Sequence, residues 1–178
     1  MRFSQIPQMS RPAYVVDHML SGLTKTIADY QNDTASPLNL EPDFQRFHVW
    51  TPEQQTSYVE FLLRGGQSSR DLYFNCPGWH SGHPSTFELV DGKQRLEACL
   101  GFLNGTVSVF SGLYRGDFTD KPFHVTLRFH INSLQTREEV LRWYLDINSG
   151  GVVHSEEELE KVRTLLSEEQ ERTKHGEG

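Results

Sequence analysis

Cysteine is scarce: Cys76 and Cys99 are the only two in 178 residues, too few for a disulfide framework. Apolar burial must therefore hold the fold, and both thiols are expected to be reduced, as in a cytoplasmic protein. Long hydrophobic runs are missing as well. No stretch of about 18 apolar residues occurs, so no membrane span is expected, and Met1 to Gln5 lack the apolar stretch of a secretory leader. Positive charge is in deficit, with 17 basic against 24 acidic residues and a net charge of −7. The deficit is uneven: Ser155 to Gly178 hold eight acidic and four basic residues, which leaves the body at only −3. That balance excludes a broadly basic surface for tracking nucleic acid. It leaves room for a local basic pocket, of a size that suits a nucleotide or one strand end. No internal repeat or low-complexity linker interrupts the chain, and its length fits one domain with a core large enough to fold unaided.

Periodicity supplies the elements. Apolar residues at Val15, Met19, Leu23 and Ile27 predict a helix from Pro12 to Tyr30, with Pro12 in its first turn. Leu38-Asn39-Leu40 reads as a short strand. Thr51-Pro52-Glu53-Gln54 resembles a capping box with proline at the first helical position, opening a helix that carries Tyr58, Phe61 and Leu62 and stops at Gly65-Gly66. Leu72 to Phe74, Phe87 to Val90 and Thr106 to Phe110 read as strands. Phe123, Val125, Leu127, Phe129 and Ile131 alternate strictly with polar residues, the clearest half-buried strand in the chain. Thr136 to Glu139 and Ser155 to Glu158 open two further capped helices. Short strands mixed with separate helices argue for an α+β domain.

One hexapeptide stands out: Asp91-Gly92-Lys93-Gln94-Arg95-Leu96. It follows a strand and opens a helix, with glycine at the turn for a tight backbone approach. A helix start presents free N–H groups and the positive end of a dipole. With Lys93 and Arg95 added, a phosphate is the natural guest. Asp91 would sit beside it, able to hold a metal ion, accept a proton or hydrogen-bond a hydroxyl. A second cluster, Gln45-Arg46, also lies at a strand-to-helix transition. In both clusters an arginine follows a glutamine, and a guanidinium grips phosphate with two parallel hydrogen bonds. Trp50 and Trp79 are candidates for stacking on a base. Cys76, His80 and His83, with His48 near, have a spacing that zinc can use, but no fourth ligand is evident and a plain polar loop is the expected reading. Leu159, Val162 and Leu166 give the acidic C-terminal helix an apolar stripe for a homo-oligomer or protein partner.

Phe44-Gln45-Arg46, then Val49-Trp50, a helix ending in glycine, and Asp91 to Leu96 together resemble the ParB/sulfiredoxin-fold family marked by a DGQQR signature. That family forms the N-terminal part of GmrSD-like modification-dependent restriction enzymes. Ile147-Asn148-Ser149-Gly150-Gly151 is similar to the family's asparagine-glycine turn, and Lys93 stands where the family has glutamine. The likeness runs from about Leu38 to Leu166. It implies a small mixed sheet flanked by helices with an extra C-terminal helix. The expected layout is an N-terminal helical lead-in over 1–37, the DGQQR domain over 38–154, and an acidic helix and tail over 155–178. It also implies binding of a nucleotide or DNA phosphate, with NTP hydrolysis, DNA cleavage or phosphotransfer assisted by Mg²⁺. Under this likeness Gln45 and Arg46 line the pocket, Asp91, Gly92, Gln94 and Arg95 form its catalytic or phosphate-binding wall, and Asn148 orients a ligand or braces the turn; the residues themselves add Lys93 and Trp50 as ligand contacts and Asp91 as the metal ligand. A compact stand-alone version suits a phage or mobile element. The alternative is a module that binds nucleotide, DNA or a host protein without turnover.

Overall fold

Every second residue of three strands is apolar: Leu72 and Phe74, Phe87 and Leu89, then Leu127, Phe129 and Ile131. All seven are buried on one face of a single sheet, as a period of two requires. The computed structural model describes residues 5, 6, 8–45, 50–122, 124–149 and 156–174. Its strands are β1 (Tyr14–Met19), β2 (Leu38–Asn39), β3 (Asp71–Asn75), β4 (Phe87–Asp91) and β5 (Thr126–Asn132), arranged in the order β1-β5-β3-β4-β2. The pairs β1/β5 and β3/β4 are antiparallel, whereas β3/β5 and β2/β4 are parallel.

Three helices seal the apolar face: α1 (Leu23–Gln31), α2 (Pro52–Leu63) and α3 (Lys93–Leu103). They contribute Leu23 and Ile27, Val59 and Leu62, and Leu96, Cys99 and Phe102 to one core with the strands. Each large side chain buried this way contributes roughly 1.5–3 kcal/mol. The opposite face is covered on the β4 side by α4 (Arg137–Ser149) and α5 (Glu156–Lys174). There Val90 packs with Phe44, Val140, Leu141, Trp143, Tyr144 and Val162 in a second, smaller core. The arrangement is the expected α+β one, a mixed sheet flanked by helices with a further helix at the C-terminal side.

Local sequence accounts for two of the helix starts. The Thr51 hydroxyl accepts from the Gln54 N–H at 3.3 Å, and Gln54 Oε1 accepts from the Thr51 N–H at 2.9 Å. Thr136 and Glu139 repeat the exchange at 3.2 and 3.0 Å. The third expected cap, Ser155, lies outside the described residues. No helix among the described residues is long and apolar enough to cross a membrane.

Three expectations need correction. Tyr14–Met19 is a strand, not the start of a helix, and it pairs with β5 from Tyr14↔Ile131 to Met19↔Thr126. The expected helix is confined to Leu23–Gln31, and the residues before it join the sheet. Thr106 to Phe110 is a tight loop instead of a strand. It closes with a single bridge between Val109 and Leu113 and has positive φ at Phe110, Ser111 and Gly112. The leucine stripe of α5 is not left for a partner: Val162 is buried, and Leu159, Leu165 and Leu166 pack on the same small core as α4.

Candidate functional site

Strict alternation along β4 would send Asp91 into the core with Phe87 and Leu89. A register shift prevents this. The pairing of β3 with β4 steps from Phe74↔Leu89 to Tyr73↔Asp91, so β4 carries one extra residue, Val90. Such a bulge re-aims the side chains beyond it. Residues directly opposite each other share a face, so Asp91 joins Tyr73 on the face away from the main core. Gly92 follows with φ +103°, and an added Cβ would lie 2.3 Å from Leu72 Cδ2. Both the left-handed backbone and the close approach demand glycine. Helix α3 starts at Lys93 with no side-chain cap, which leaves its first-turn N–H groups available to solvent or a ligand.

Of the candidate residues, several meet at this corner. Arg95 Nη2 donates to Asp91 Oδ2, one helical turn back, and the two side chains are only 20% and 11% exposed. Gln45, at the end of a short 3₁₀ turn (Asp43–Gln45), donates from Nε2 to the Val90 carbonyl. Its Oε1 is buried with no hydrogen-bond partner among the described residues. Gln94 Oε1 accepts the Trp50 N–H at 2.7 Å. It thus braces the chain entering α2. The Trp50 ring packs edge-to-face on Tyr58 at 5.2 Å. Lys93 reaches Glu41 at 3.2 Å and Glu97 at 3.7 Å, so its charge is shared with two acids. Asn148 is buried near the end of α4 and donates back to the Tyr144 carbonyl at 2.7 Å. It braces the helix and is not part of a turn. Arg46 and His48 lie outside the described residues, as do Gly150 and Gly151.

Tyr73 links this corner to a cavity. One strand further from Asp91, its ring stacks on His130 at 4.8 Å and 16°. Trp143 of α4 meets it edge-on at 5.9 Å. His130 is held from the neighbouring strand by Asp71, with Nε2 2.6 Å from Oδ1. Burial, with Asp71 adding to it, pushes the Tyr73 phenol above its ordinary value; the charge of Arg95 pulls it down and that of Asp91 raises it. The phenol therefore stays neutral, able both to donate and to accept. Tyr73, Trp143 and Ile147 form one wall of a cavity of about 530 Å³, and residues 8–12 form the other. A further cation stands at the same strand end. Arg70 donates from Nε to the Gly66 carbonyl at 2.7 Å, and its Nη2 is buried with no partner among the described residues. Both Arg70 and Arg95 act on the Tyr58 hydroxyl, which burial nonetheless raises above its usual range.

No three His, Cys, Asp or Glu side chains gather as a metal ligand set among the described residues. Cys76 instead lies 3.4 Å from Ser85 Oγ, within the 76–85 loop. Trp79 is half-buried and packs among Tyr14, Tyr30 and Phe87. Both cysteines are free and buried, and burial pushes the Cys99 thiol up to about 12. A Mg²⁺ at the corner would have Asp91 as its protein ligand and would draw its remaining oxygens from phosphate and water, the usual pattern for this ion.

Asp71, Tyr73, His130 and Arg70 were not among the expected site residues. Asp71, Tyr73 and His130 occupy the polar half of alternating strands, which a search for apolar faces discards, and the only signal was the presence of ionisable and aromatic side chains there. Compared with known proteins, the chain matches no protein-family model, no curated protein and no solved structure.

Proposed function

We propose that the protein binds a nucleotide, or the terminal phosphate of a nucleic-acid strand, at the Asp91–Arg95 corner and performs phosphate chemistry there, by hydrolysis or phosphotransfer. The observation that carries this reading is the bulge at Val90. It turns a carboxylate clamped by an arginine toward Tyr73, which is itself a wall of a cavity of about 530 Å³. Arg95 and the uncapped start of α3 meet the phosphate oxygens. Asp91 orients Arg95 and is the group that would touch Mg²⁺ or the attacking hydroxyl. Gln94 and Gln45 hold the two chain segments that frame the corner.

The test is turnover of ATP, GTP and short DNA by the purified protein with Mg²⁺ or Mn²⁺, alongside Asp91→Ala and Arg95→Ala. Divalent-dependent product formation that disappears in Asp91→Ala is the expected result. A wild-type protein that turns over none of these substrates defeats the enzymatic reading. The second reading is binding without turnover, and the engagement of Asp91 by Arg95 favours it. In that case a ligand raises the melting temperature by mass action, Arg95→Ala abolishes the rise, and no product forms.

A further inference from the structure

The cavity beside Tyr73 has no role in phosphate binding itself. Its volume of about 530 Å³ falls within the roughly 300–1,000 Å³ of small-molecule sites. Tyr73, Trp143, Ile147, Met9 and Pro12 supply its aromatic and aliphatic surface, and Gln8, Ser10 and Arg11 its polar groups. An aromatic wall facing a short polar segment suits a planar ring with hydrogen-bonding edges, as a nucleobase has, better than a purely ionic guest.

We propose that this cavity receives the nucleoside part of the ligand whose phosphate end is met by Arg95, and that Tyr73 is the contact shared by both parts. The phosphate end rests on the function proposed above; the cavity assignment rests on its own geometry. Tyr73 is the cross-strand partner of Asp91, and paired strands lie about 4.8 Å apart. The wall of the cavity and the phosphate corner are thus one strand spacing from each other, a gap that a ribose bridges. The wall is also rigid before any ligand arrives. His130 lies flat on one side of the Tyr73 ring, Trp143 is set edge-on to it, and Asp71 pins His130. Preorganisation of this kind lowers the entropy cost of binding. Residues 8–12 form the opposing wall, which makes this segment part of the nucleoside site.

The experiment is titration calorimetry of the full chain with ATP, GTP, inorganic tripolyphosphate, adenosine and guanosine. The proteins are wild type, Tyr73→Leu, Tyr73→Phe, Ile147→Trp and Arg95→Ala. One nucleoside triphosphate should bind about tenfold or more tightly than tripolyphosphate, the size of a single base–aromatic contact. Ile147→Trp, which fills the cavity from the helix side, should erase that gain and leave tripolyphosphate binding intact. Tyr73→Leu should do the same, and Tyr73→Phe should keep most of the gain. Ile147→Trp decides the matter if Tyr73→Leu melts early. Equal affinity for triphosphates and tripolyphosphate, unchanged by Ile147→Trp, overturns the inference and leaves the phosphate corner standing. Binding of a nucleoside but not of tripolyphosphate, indifferent to Arg95→Ala, supports the cavity assignment and defeats the phosphate reading. Binding of none of the probes overturns both.

Discussion

The two faces of the sheet do different work. One is closed: Leu72, Phe74, Leu127, Phe129 and Ile131 sit fully buried beneath α1, α2 and α3. The other is covered over β4, where α4 and α5 lie on Val90, and over part of β3, where Trp143 of α4 meets Tyr73. Across β3, β5 and β1 it displays Asp71, Tyr73, His130, Arg128 and Asp17, tied pairwise by His130–Asp71 and Arg128–Asp17. An apolar face sealed by three helices contributes stability. A face left half-open, with its polar groups fixed in pairs, contributes little stability and presents chemistry in a fixed arrangement. Asp91 belongs to the second face only because one extra residue in β4 moves it there.

The largest break in this comparison comes from the closed face. Phe129→Ala removes a ring that packs on Phe74 at 4.7 Å, and it should cost about 3–5 kcal/mol in denaturant unfolding. A loss below 1 kcal/mol would mean that this face is not the stabilising one. Gly92→Ala attacks the boundary between the faces. A left-handed alanine costs about 1–2 kcal/mol, and its methyl must displace Leu72, so a total near 2–4 kcal/mol is expected, together with loss of ligand binding. A stable Gly92→Ala protein with intact binding would contradict the geometry of the corner.

Glu88 sharpens the comparison because it is a carboxyl on the second face under the start of α4. Burial raises it above the ordinary glutamate value of 4.5, with Asp43 adding to the rise and Arg137 opposing it. The folded chain therefore holds this proton more tightly than the unfolded chain does, and stability falls as pH rises through the window above 4.5. Glu88→Gln should melt higher than wild type at neutral pH, and the difference should shrink in acid, as read by melting curves from pH 4 to 8. The smallest effect belongs to the open end of this face. Asp17→Ala breaks an exposed pair with Arg128, where the side chains are 47% and 52% exposed, and should leave the melting temperature almost unchanged, with any loss vanishing at high salt.

Much of the closed face was legible in the chain. The alternation at Leu127, Phe129 and Ile131 and the capping boxes at Thr51 and Thr136 are local signals, and each appears where expected. β1 was not legible, because its apolar residues recur at a spacing of four that also suits a helix. Its partner strand settles the matter from afar, as in the Asp17–Arg128 pair, 111 positions apart. At the candidate site the turn at Gly92 and its neighbours Asp91 and Arg95 could be read directly. The part played by Gln94 could not, because its partner is a backbone N–H 44 positions away. Nor could the row of His130, Tyr73 and Asp91, which exists only once three strands are aligned.

Residue order alone therefore determined which segments bury apolar surface, where two of the helices begin, and that a glycine must turn the chain after Asp91. These depend on neighbours within a few positions, whose geometry is set by the pleat, the helical turn and backbone sterics. Tertiary structure decided which face Asp91 occupies, that β1 is a strand, that the α5 leucines pack inward, and that Tyr73 connects the corner to a cavity. Those outcomes depend on strand register and helix docking, in which a shift of one residue exchanges the two faces, and that register is set by contacts between distant parts of the chain.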